Sequence, residues 1–301
     1  MTYMKVSEAA EKWGISSRRV RILCTEGKIP GMVRKGNLYL IPENAAKPAD
    51  GRRKASTIME EIAQKRERTS LLRPLTSGER ERLTEDFAVE FVYHSNAIGG
   101  SSLTLKETAL VLEGIAVDHK PLRDQLMAIG HRDAFAYVRD LAEKELPLSE
   151  KMIRQIHSLL LIDNARDKGE FRRIPLRVLG SSDEAVPPSE IAEKLAELLQ
   201  KDEQRQQTMP PLERMALFHL EFEGIHPFVD GNGRIGRLLL NFDLLRHGFP
   251  PVNIHYTNRK QYYDAFDAFF RDGDVTAMTE LIAGCVNERL EEQLLILKES
   301  E

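Results

Sequence analysis

A chain of 301 residues, 42% hydrophobic and 30% charged, is long enough for two domains and a proper core. Its two cysteines, Cys24 and Cys285, have no C-x-x-C spacing, so neither a disulfide framework nor a thiolate zinc site is suggested. No apolar run is long enough to cross a bilayer and Met1-Thr2-Tyr3-Met4-Lys5 has no signal-peptide pattern, so a cytoplasmic protein with no membrane partner is expected. The net charge of −4 is uneven: residues 1–54 carry +7 and the remainder −11, which implies different work for the basic head and the acidic body.

Residues 4–46 read as a small basic module. Val6, Ala9, Ala10 and Trp13 recur at helical spacing, Gly14-Ile15 makes a turn, and Ser16 caps a second helix that carries Val20 and Leu23 inward and stops at Gly27. Arg18, Arg19 and Arg21 lie near the start of that second helix, where a recognition helix reaches a major groove. Met32-Val33-Arg34 and Leu38-Tyr39-Leu40-Ile41, joined by Lys35-Gly36-Asn37, predict a hairpin wing. The segment resembles the helix-turn-helix modules of excisionase and MerR-type proteins. That resemblance implies DNA as a partner through residues 1–46, although a basic interaction module without a DNA target has the same charge.

Lys47 to Lys54 combines Pro, Gly and a charge run and reads as a linker; a polar, solvated connecting helix over Ser56 to Arg68 follows, and Pro74 and Ser77-Gly78 break the chain again. Phe87, Val89, Phe91 and Val92 then lead into Tyr93-His94-Ser95-Asn96-Ala97-Ile98-Gly99-Gly100. Apolar stripes predict helices over 105–114, 126–144 and 149–161. From Lys168 to Gly180 arginine alternates with Leu and Val between glycines, which predicts a short β-hairpin within 168–188. Pro211 to Ile225 is a helix whose buried face is Met215, Phe218, His219, Phe222 and Ile225, with His219 a core histidine. Tyr262 and Tyr263 open another helix, and Val275 to Leu297 forms a final helix or pair of helices.

The densest chemistry lies between, at His226-Pro227-Phe228-Val229-Asp230-Gly231-Asn232-Gly233-Arg234-Ile235-Gly236-Arg237. Glycines around Asn232 allow tight turns and Ile235 to Leu245 reads as an apolar helix, so loop amides converge at a helix N-terminus, an anion site. An Asp beside a phosphate cradle suits Mg²⁺ held by one carboxylate plus substrate phosphate oxygens. Arg234 and Arg237, three apart on the first turn, can both face the anion, and two guanidiniums imply more than one phosphate. His226 is the one group there whose ordinary pKa lies near neutrality, so it can take a proton from an attacking hydroxyl. The residue types describe phosphoryl or nucleotidyl transfer.

The same stretch matches H-P-F-x-[D/E]-G-N-G-R-x-x-R at every specified position and resembles the Fic enzymes, most of which transfer AMP from ATP to a protein hydroxyl. The resemblance covers most of residues 80–290. It implies ATP and Mg²⁺, Asp230 on the metal, Asn232 and the Gly231 and Gly233 amides on the α- and β-phosphates, Arg234 and Arg237 on the β- and γ-phosphates, and His226 as the base. It also implies a flap at 168–188 that adds a strand to the target segment, an aromatic at Tyr263 beside the adenine, and pairing into a homo-oligomer. Many Fic proteins carry an inhibitory helix, [S/T]-x-x-x-E-[G/N], whose glutamate pairs with the second motif arginine. Ser95, Gly99 and Gly100 fit that pattern except that Gly99 stands where the family has glutamate. Glycine brings neither charge nor reach, so the brake should be missing; Gly99 reads as the replacement of a working glutamate, against the alternative of an ordinary C-cap glycine.

The expected fold class is mainly α, an all-helical Fic domain with a β-hairpin flap plus a small N-terminal winged helix-turn-helix domain. The expected divisions are 1–46, a linker and connecting helix at 47–79, and the Fic domain at 80–301, with the inhibitory-motif helix near 87–100 and the active-site loop at 226–237. The expected activity is transfer of AMP to a Ser, Thr or Tyr hydroxyl of a target protein and of the chain itself. Transfer of UMP, phosphate or phosphocholine is the alternative within the same chemistry, and a nucleotide-sensing DNA-binding regulator is the alternative outside it. Removal of AMP draws on the inhibitory glutamate in the family, so Gly99 argues against it.

Overall fold

The computed structural model describes residues 2–13, 17–25, 28–36, 38–46, 51–72, 74–176 and 185–299. At 18, 19, 22, 51–56, 298 and 299 it describes the backbone alone. The expected turn at Gly14-Ile15, the Ser16 cap, the Gly27 stop and the linker residues 47–50 lie outside the described residues. The chain divides into two compact units, Met1–Thr57 and Ile58–Glu301.

The first unit opens with a strand that the sequence reading missed, β1 (Tyr3–Lys5), followed by helices α1 (Val6–Trp13) and α2 (Ser17–Thr25) and strands β2 (Val33–Lys35) and β3 (Leu38–Pro42). β3 is the middle of a three-stranded antiparallel sheet ordered β1-β3-β2; Met4 pairs with Ile41 and Arg34 with Tyr39. The expected hairpin is therefore present, widened by β1. Ala9, Ala10 and Trp13 of α1, Val20 and Leu23 of α2, and Met4 and Ile41 of the sheet form one small core. A strand of three residues has too little alternation to be read as period 2, and only its pairing with β3 identifies β1.

The second unit contains no strand among its described residues. It runs from the last part of α3 (Gly51–Leu71) through α4 (Ser77–Ile98), α5 (Leu105–Leu112), α6 (Leu122–Glu143), α7 (Glu150–Leu160), α8 (Ile191–Arg205), α9 (Pro211–Ile225), α10 (Asn232–Arg246) and α11 (Arg259–Asp272) to α12 (Thr276–Glu299). Two expectations are corrected, and a third falls partly on residues outside the described ones. The helix expected near 87–100 begins at Ser77. Thr76 accepts from the Glu79 N–H and Glu79 accepts from the Thr76 N–H, a reciprocal capping box that makes Ser77-Gly78 a helix start rather than a break. The connecting helix is not merely solvated: Ile62 of α3 is buried and Ile58 and Met59 pack beside it in the core that α9, α11 and α12 share. The hairpin expected at 168–188 forms no strand among its described residues, and residues 177–184 lie outside them; a single backbone bond, Ala185 N–H to the Leu176 carbonyl at 3.2 Å, joins its two sides.

α9 and α10 are apolar nearly all round because each lies between two cores. One core takes Phe218, Phe222 and Ile225 of α9 with Ile235, Leu238 and Phe242 of α10. The other takes Leu212, Met215 and Leu220 with Leu240 and Leu244. The two helices are thus fixed on both faces, and the loop between them hangs from rigid supports. A buried ion triad ties them further. Arg214 of α9, with a side chain only 1% exposed, donates to both Asp202 oxygens on α8 at 2.8 Å and to Asp243 on α10 at 2.7 Å. Truncation would strand two carboxylates in a low-dielectric interior, so Arg214→Ala is expected to destabilise the fold by about 3–5 kcal/mol. Chemical denaturation measures it; a loss under about 1 kcal/mol would mean that the carboxylates reach water.

Candidate active site

α9 ends because His226 takes left-handed backbone, φ 51° and ψ 59°, which a non-glycine residue holds only where its surroundings impose it. Its N–H still donates to the Phe222 carbonyl at 3.1 Å, and its own carbonyl accepts from Arg172 Nε at 2.7 Å. Arg172 is buried. Its other nitrogens donate to the carbonyls of Ile174 (3.0 Å), Val186 and Ile225 (3.4 Å), and its backbone N–H to that of Pro227 at 2.9 Å. One guanidinium therefore joins both sides of the 168–188 segment to the loop after α9.

The loop closes on itself through Asn232. The Phe228 N–H donates to Asn232 Oδ1 at 2.9 Å while Asn232 Nδ2 donates to the Phe228 carbonyl at 2.8 Å. The Asn232 side-chain amide is thus buried and bonded within the loop, while its backbone N–H lies in the first turn of α10. Gly231 caps that helix at φ 85°, a conformation open to glycine. The first intrahelical bond runs from Ile235 N–H to the Gly231 carbonyl at 2.9 Å, which leaves the Asn232, Gly233 and Arg234 N–H groups without intrahelical acceptors.

Beneath the loop lies His157 of α7, stacked on Phe228 with ring centroids 3.8 Å apart. Its Nδ1 accepts from the Gly169 N–H at 2.8 Å, so its Nε2, 3.2 Å from the Asp230 carbonyl, carries the proton and donates. The ring is neutral. Burial is the main cause of a pKa lowered to about 4, with Arg234 adding to it.

Asp230 collects donors. Its Oδ1 accepts from the Gly231 N–H at 2.6 Å and from Arg234 at 3.0 Å, and its Oδ2 from Arg123 of α6 at 2.7 Å. Burial opposes its ionisation, but Arg234, the Gly231 N–H and Arg123 together hold the carboxyl below its ordinary pKa. Arg234 has a buried Nη1 with no partner, and burial lowers its pKa. Arg237 turns the other way: Nε donates to Ser95 Oγ and Nη2 to the Ser95 carbonyl, each at 2.8 Å, and Nη1 to the Tyr262 hydroxyl at 3.3 Å. The His226 pKa is lowered, first by burial and then by Arg172, against support from the Glu223 backbone and Asp230. At neutral pH it is an uncharged base.

A cavity of about 540 Å³ brings together His226, Asp230, Gly231, Gly233, Arg234, Arg237, Gly99 and Tyr263. Ser95 reaches it through Arg237, and Gly100 follows as an exposed turn residue at φ 94°. Tyr263 is part-exposed with the Arg259 guanidinium 5.4 Å over its ring, while the neighbouring Tyr262 is buried and bonds His219 Nε2 at 2.7 Å, which makes His219 the core histidine expected. Of the basic residues in the first unit, Arg21 is exposed on α2, and the Arg18 and Arg19 side chains lie outside the described residues. Sequence reasoning missed Arg123, His157, Arg172, Glu223 and Tyr262. Four of them act through long-range contacts that no local pattern signals; Glu223, one turn before His226, was legible from its spacing.

Among the described residues no helix is long and apolar enough to cross a membrane, and no group of three or more His, Cys, Asp or Glu could hold a metal ion. Residues 147–244 match the Fic/DOC family. The chain is 32% identical to the protein adenylyltransferase Fic of Drosophila grimshawi over 269 residues, which cover 84% of this chain and 54% of that protein, and 31% identical to its counterpart in Drosophila melanogaster. It thus spans about half the length of the curated relatives it matches. Its fold is that of Fic structures. It superposes on a Fic-1 fragment from C. elegans with TM-score 0.74 and 25% identity, covering 83% of this chain and 74% of that one. It superposes on a Fic domain containing signaling protein from Bacteroides thetaiotaomicron with TM-score 0.71 and 25% identity, covering 80% and 97%.

His157→Phe keeps the stack on Phe228 and removes both hydrogen bonds, leaving the buried Gly169 N–H and Asp230 carbonyl unpaired. It is expected to lower stability by about 1–3 kcal/mol. The acid side carries the sign. A base whose folded pKa is depressed stabilises the fold fully above its unfolded pKa and loses that contribution as pH falls toward the folded value. The His157 contribution is therefore lost between its ordinary 6.5 and about 4. Thermal melts across that range should converge for the parent and His157→Phe as pH falls; a constant gap would assign the ring no titration in the fold.

Proposed function

We propose that this chain, with its Fic/DOC domain at residues 147–244, transfers AMP from ATP to a Ser, Thr or Tyr hydroxyl of a target protein and of itself. One observation carries the reading: a part-buried imidazole, its pKa lowered by burial, shares a cavity with a helix N-terminus, a carboxylate and two arginines. A site that only sensed nucleotide would have no use for the base. The α10 N–H groups and Arg234 receive the α- and β-phosphates, Arg237 the γ-phosphate, and the Tyr263–Arg259 pair lies along the base. His226 takes the hydroxyl proton as the oxygen attacks the α-phosphorus; the bond from that phosphorus to the bridging oxygen breaks, and pyrophosphate leaves with its electrons. The relatives' activity as protein adenylyltransferases favours AMP over UMP, phosphate or phosphocholine.

A divalent cation fits the residues present only as a partner of phosphate. Asp230 is a part-exposed carboxylate, and among the described residues no group of three or more His, Cys, Asp or Glu could hold a metal, which suits Mg²⁺ that keeps phosphate oxygens and waters. Such an ion would neutralise charge on the leaving pyrophosphate. Arg123 now bonds the oxygen it would need and, 67% exposed, is free to swing away.

Position 99 supports the deregulated reading. Gly99 has φ −78°, which any residue adopts, and a Cβ there would meet the Asn96 carbonyl at 3.3 Å, so the Asn96 backbone must give by a few tenths of an ångström to admit one. Glycine is conformationally needed at Gly100 and not at Gly99, so a side chain at 99 is compatible with the helix end. Held by Arg172, the 168–188 segment is suited to pair with an extended target segment by β-augmentation. The first unit reads as a winged helix-turn-helix: two helices on a three-stranded sheet, with Arg21 exposed on the second helix. A homo-oligomer is the further partner that the resemblance implies.

With ATP labelled at the α-phosphate and Mg²⁺, the chain is expected to gain the mass of one AMP. His226→Ala should abolish the gain and Gly99→Glu reduce it by tenfold or more, on the order of a lost charge-assisted phosphate contact. ATP binding without label in any variant would overturn the transfer reading. For the first unit, a gel shift with genomic fragments upstream of its own gene should weaken as salt rises and vanish on Arg18→Ala plus Arg19→Ala; a salt-independent shift, or none, would remove DNA as the partner.

A further inference from the structure

Glu223 stands one helical turn before His226 and has no role in the reading above. It is buried, and its Oε1 has no hydrogen-bond partner. Its Oε2 lies 3.8 Å from His226 Nδ1, a buried atom that the Glu223 backbone also faces but that makes no hydrogen bond of normal geometry. The unpartnered His226 Nδ1 and the Glu223 carboxylate thus lie at a distance that a small side-chain rotation closes. The carboxylate also packs against the first turns of α10. A Cβ on Gly236 would come within 2.7 Å of Oε1, and one on Gly233 within 3.7 Å, so the glycine at 236 leaves the space that Glu223 fills.

We propose that Glu223 is a positioning residue for His226: its carboxylate accepts the Nδ1 proton, turns the Nε2 lone pair toward the reacting hydroxyl, and balances the imidazolium that forms. The inference rests on His226 being the base of the proposed transfer. The hydroxyl proton goes to Nε2, the Nδ1 proton stays between ring and carboxylate, and the ring later returns its proton to solvent. An imidazole must present a lone pair at one nitrogen, and a partner at the other nitrogen is what fixes the tautomer.

The surrounding charges are consistent with a shared proton. Burial pushes the Glu223 carboxyl up to about 7 against the pull of Arg237, and burial with Arg172 holds His226 below its ordinary value. Burial thus shifts the two groups in opposite directions, the carboxyl upward and the imidazole downward. On the Arg237 side, Tyr262 and His219 are neutral: burial raises the phenol and takes the imidazole down to about 3. Asp230 supports the charged form of His226 from the loop side. The rival role for Glu223 is counter-ion to Arg237, and the experiment separates the two.

In the full chain, the His226 ring is followed by heteronuclear NMR across pH, its signals assigned by their loss in His226→Ala. Glu223→Gln keeps shape and backbone and removes the charge. It is expected to lower the His226 midpoint by about one pH unit or more, to change the tautomer ratio read from the ring nitrogens, and to move the acid limb of kcat/KM with it. Affinity for a non-hydrolysable ATP analogue should be unchanged. Glu223→Asp, which keeps charge with less reach, should move the midpoint in the same direction by less, and it serves should the Gln variant not fold. An unmoved midpoint and tautomer, with altered analogue affinity, would give Glu223 to Arg237 and overturn the proposal. The ring titration needs no turnover. A chain that fails to label with His226 and Glu223 still coupled would sink the transfer reading alone.

Discussion

Everything at the site depends on a chain reversal between two helices, and a single side-chain amide holds that reversal. Asn232 binds the Phe228 N–H and carbonyl together, which makes the loop a closed ring rather than a flexible connection. Phe228 can then lie flat on His157, and His157 can take the Asp230 carbonyl on one side and the Gly169 N–H on the other. A buried ring bonded at both nitrogens in opposite senses permits one tautomer and one charge state. The catalytic candidate, its carboxylate neighbour and the helix N-terminus are placed by this stack. α9 and α10 add the rigidity, since each is gripped by two cores.

The same economy of space creates a surplus of positive charge. Arg172, Arg234 and Arg237 are all buried within reach of one loop, where desolvation penalises each guanidinium. Arg172 answers with carbonyl acceptors, Arg237 with Ser95 and the Tyr262 hydroxyl, and Arg234 with Asp230 alone, leaving one nitrogen bare. Unpaired guanidinium donors next to the positive end of α10 form a field that a polyanion relieves. The site is unsatisfied in the sense that matters for binding: what it lacks is negative charge.

Much of this was legible in the chain. His226 to Arg237 combines residue types that no capping loop needs, and α9 and α10 follow from apolar periodicity. The limits have physical causes. The loop bonds of the Asn232 side chain were not legible, because a sequence cannot tell a side chain facing a ligand from one folded back on its own loop. α4 was cut short because Ser77-Gly78 resembles a break until Thr76 and Glu79 are seen to cap each other across it. The 168–188 segment alternates like a hairpin, yet among its described residues Arg172 fixes it by guanidinium-to-carbonyl bonds instead of a ladder. Arg123 and His157 come from helices with ordinary patterns; only the tertiary fold carries them to Asp230.

The end of α4 shows how a site can be tuned without being rebuilt. Arg237 is aimed by Ser95, which takes two of its nitrogens through a hydroxyl and a carbonyl. Neither bond involves position 99. On the proposed reading, a carboxylate at 99 would compete for the guanidinium while glycine leaves it open, and in both cases the α4 helix and the arginine stay where packing puts them. The backbone permits this, since the left-handed turn belongs to Gly100 and position 99 keeps a φ of −78°. On the same reading, charge at one helix end sets the occupancy of the anion site, while the proposed pairing of Glu223 with His226 sets the proton affinity of the base. Control of binding and control of chemistry fall on different helices, α4 and α9, and they meet at one guanidinium.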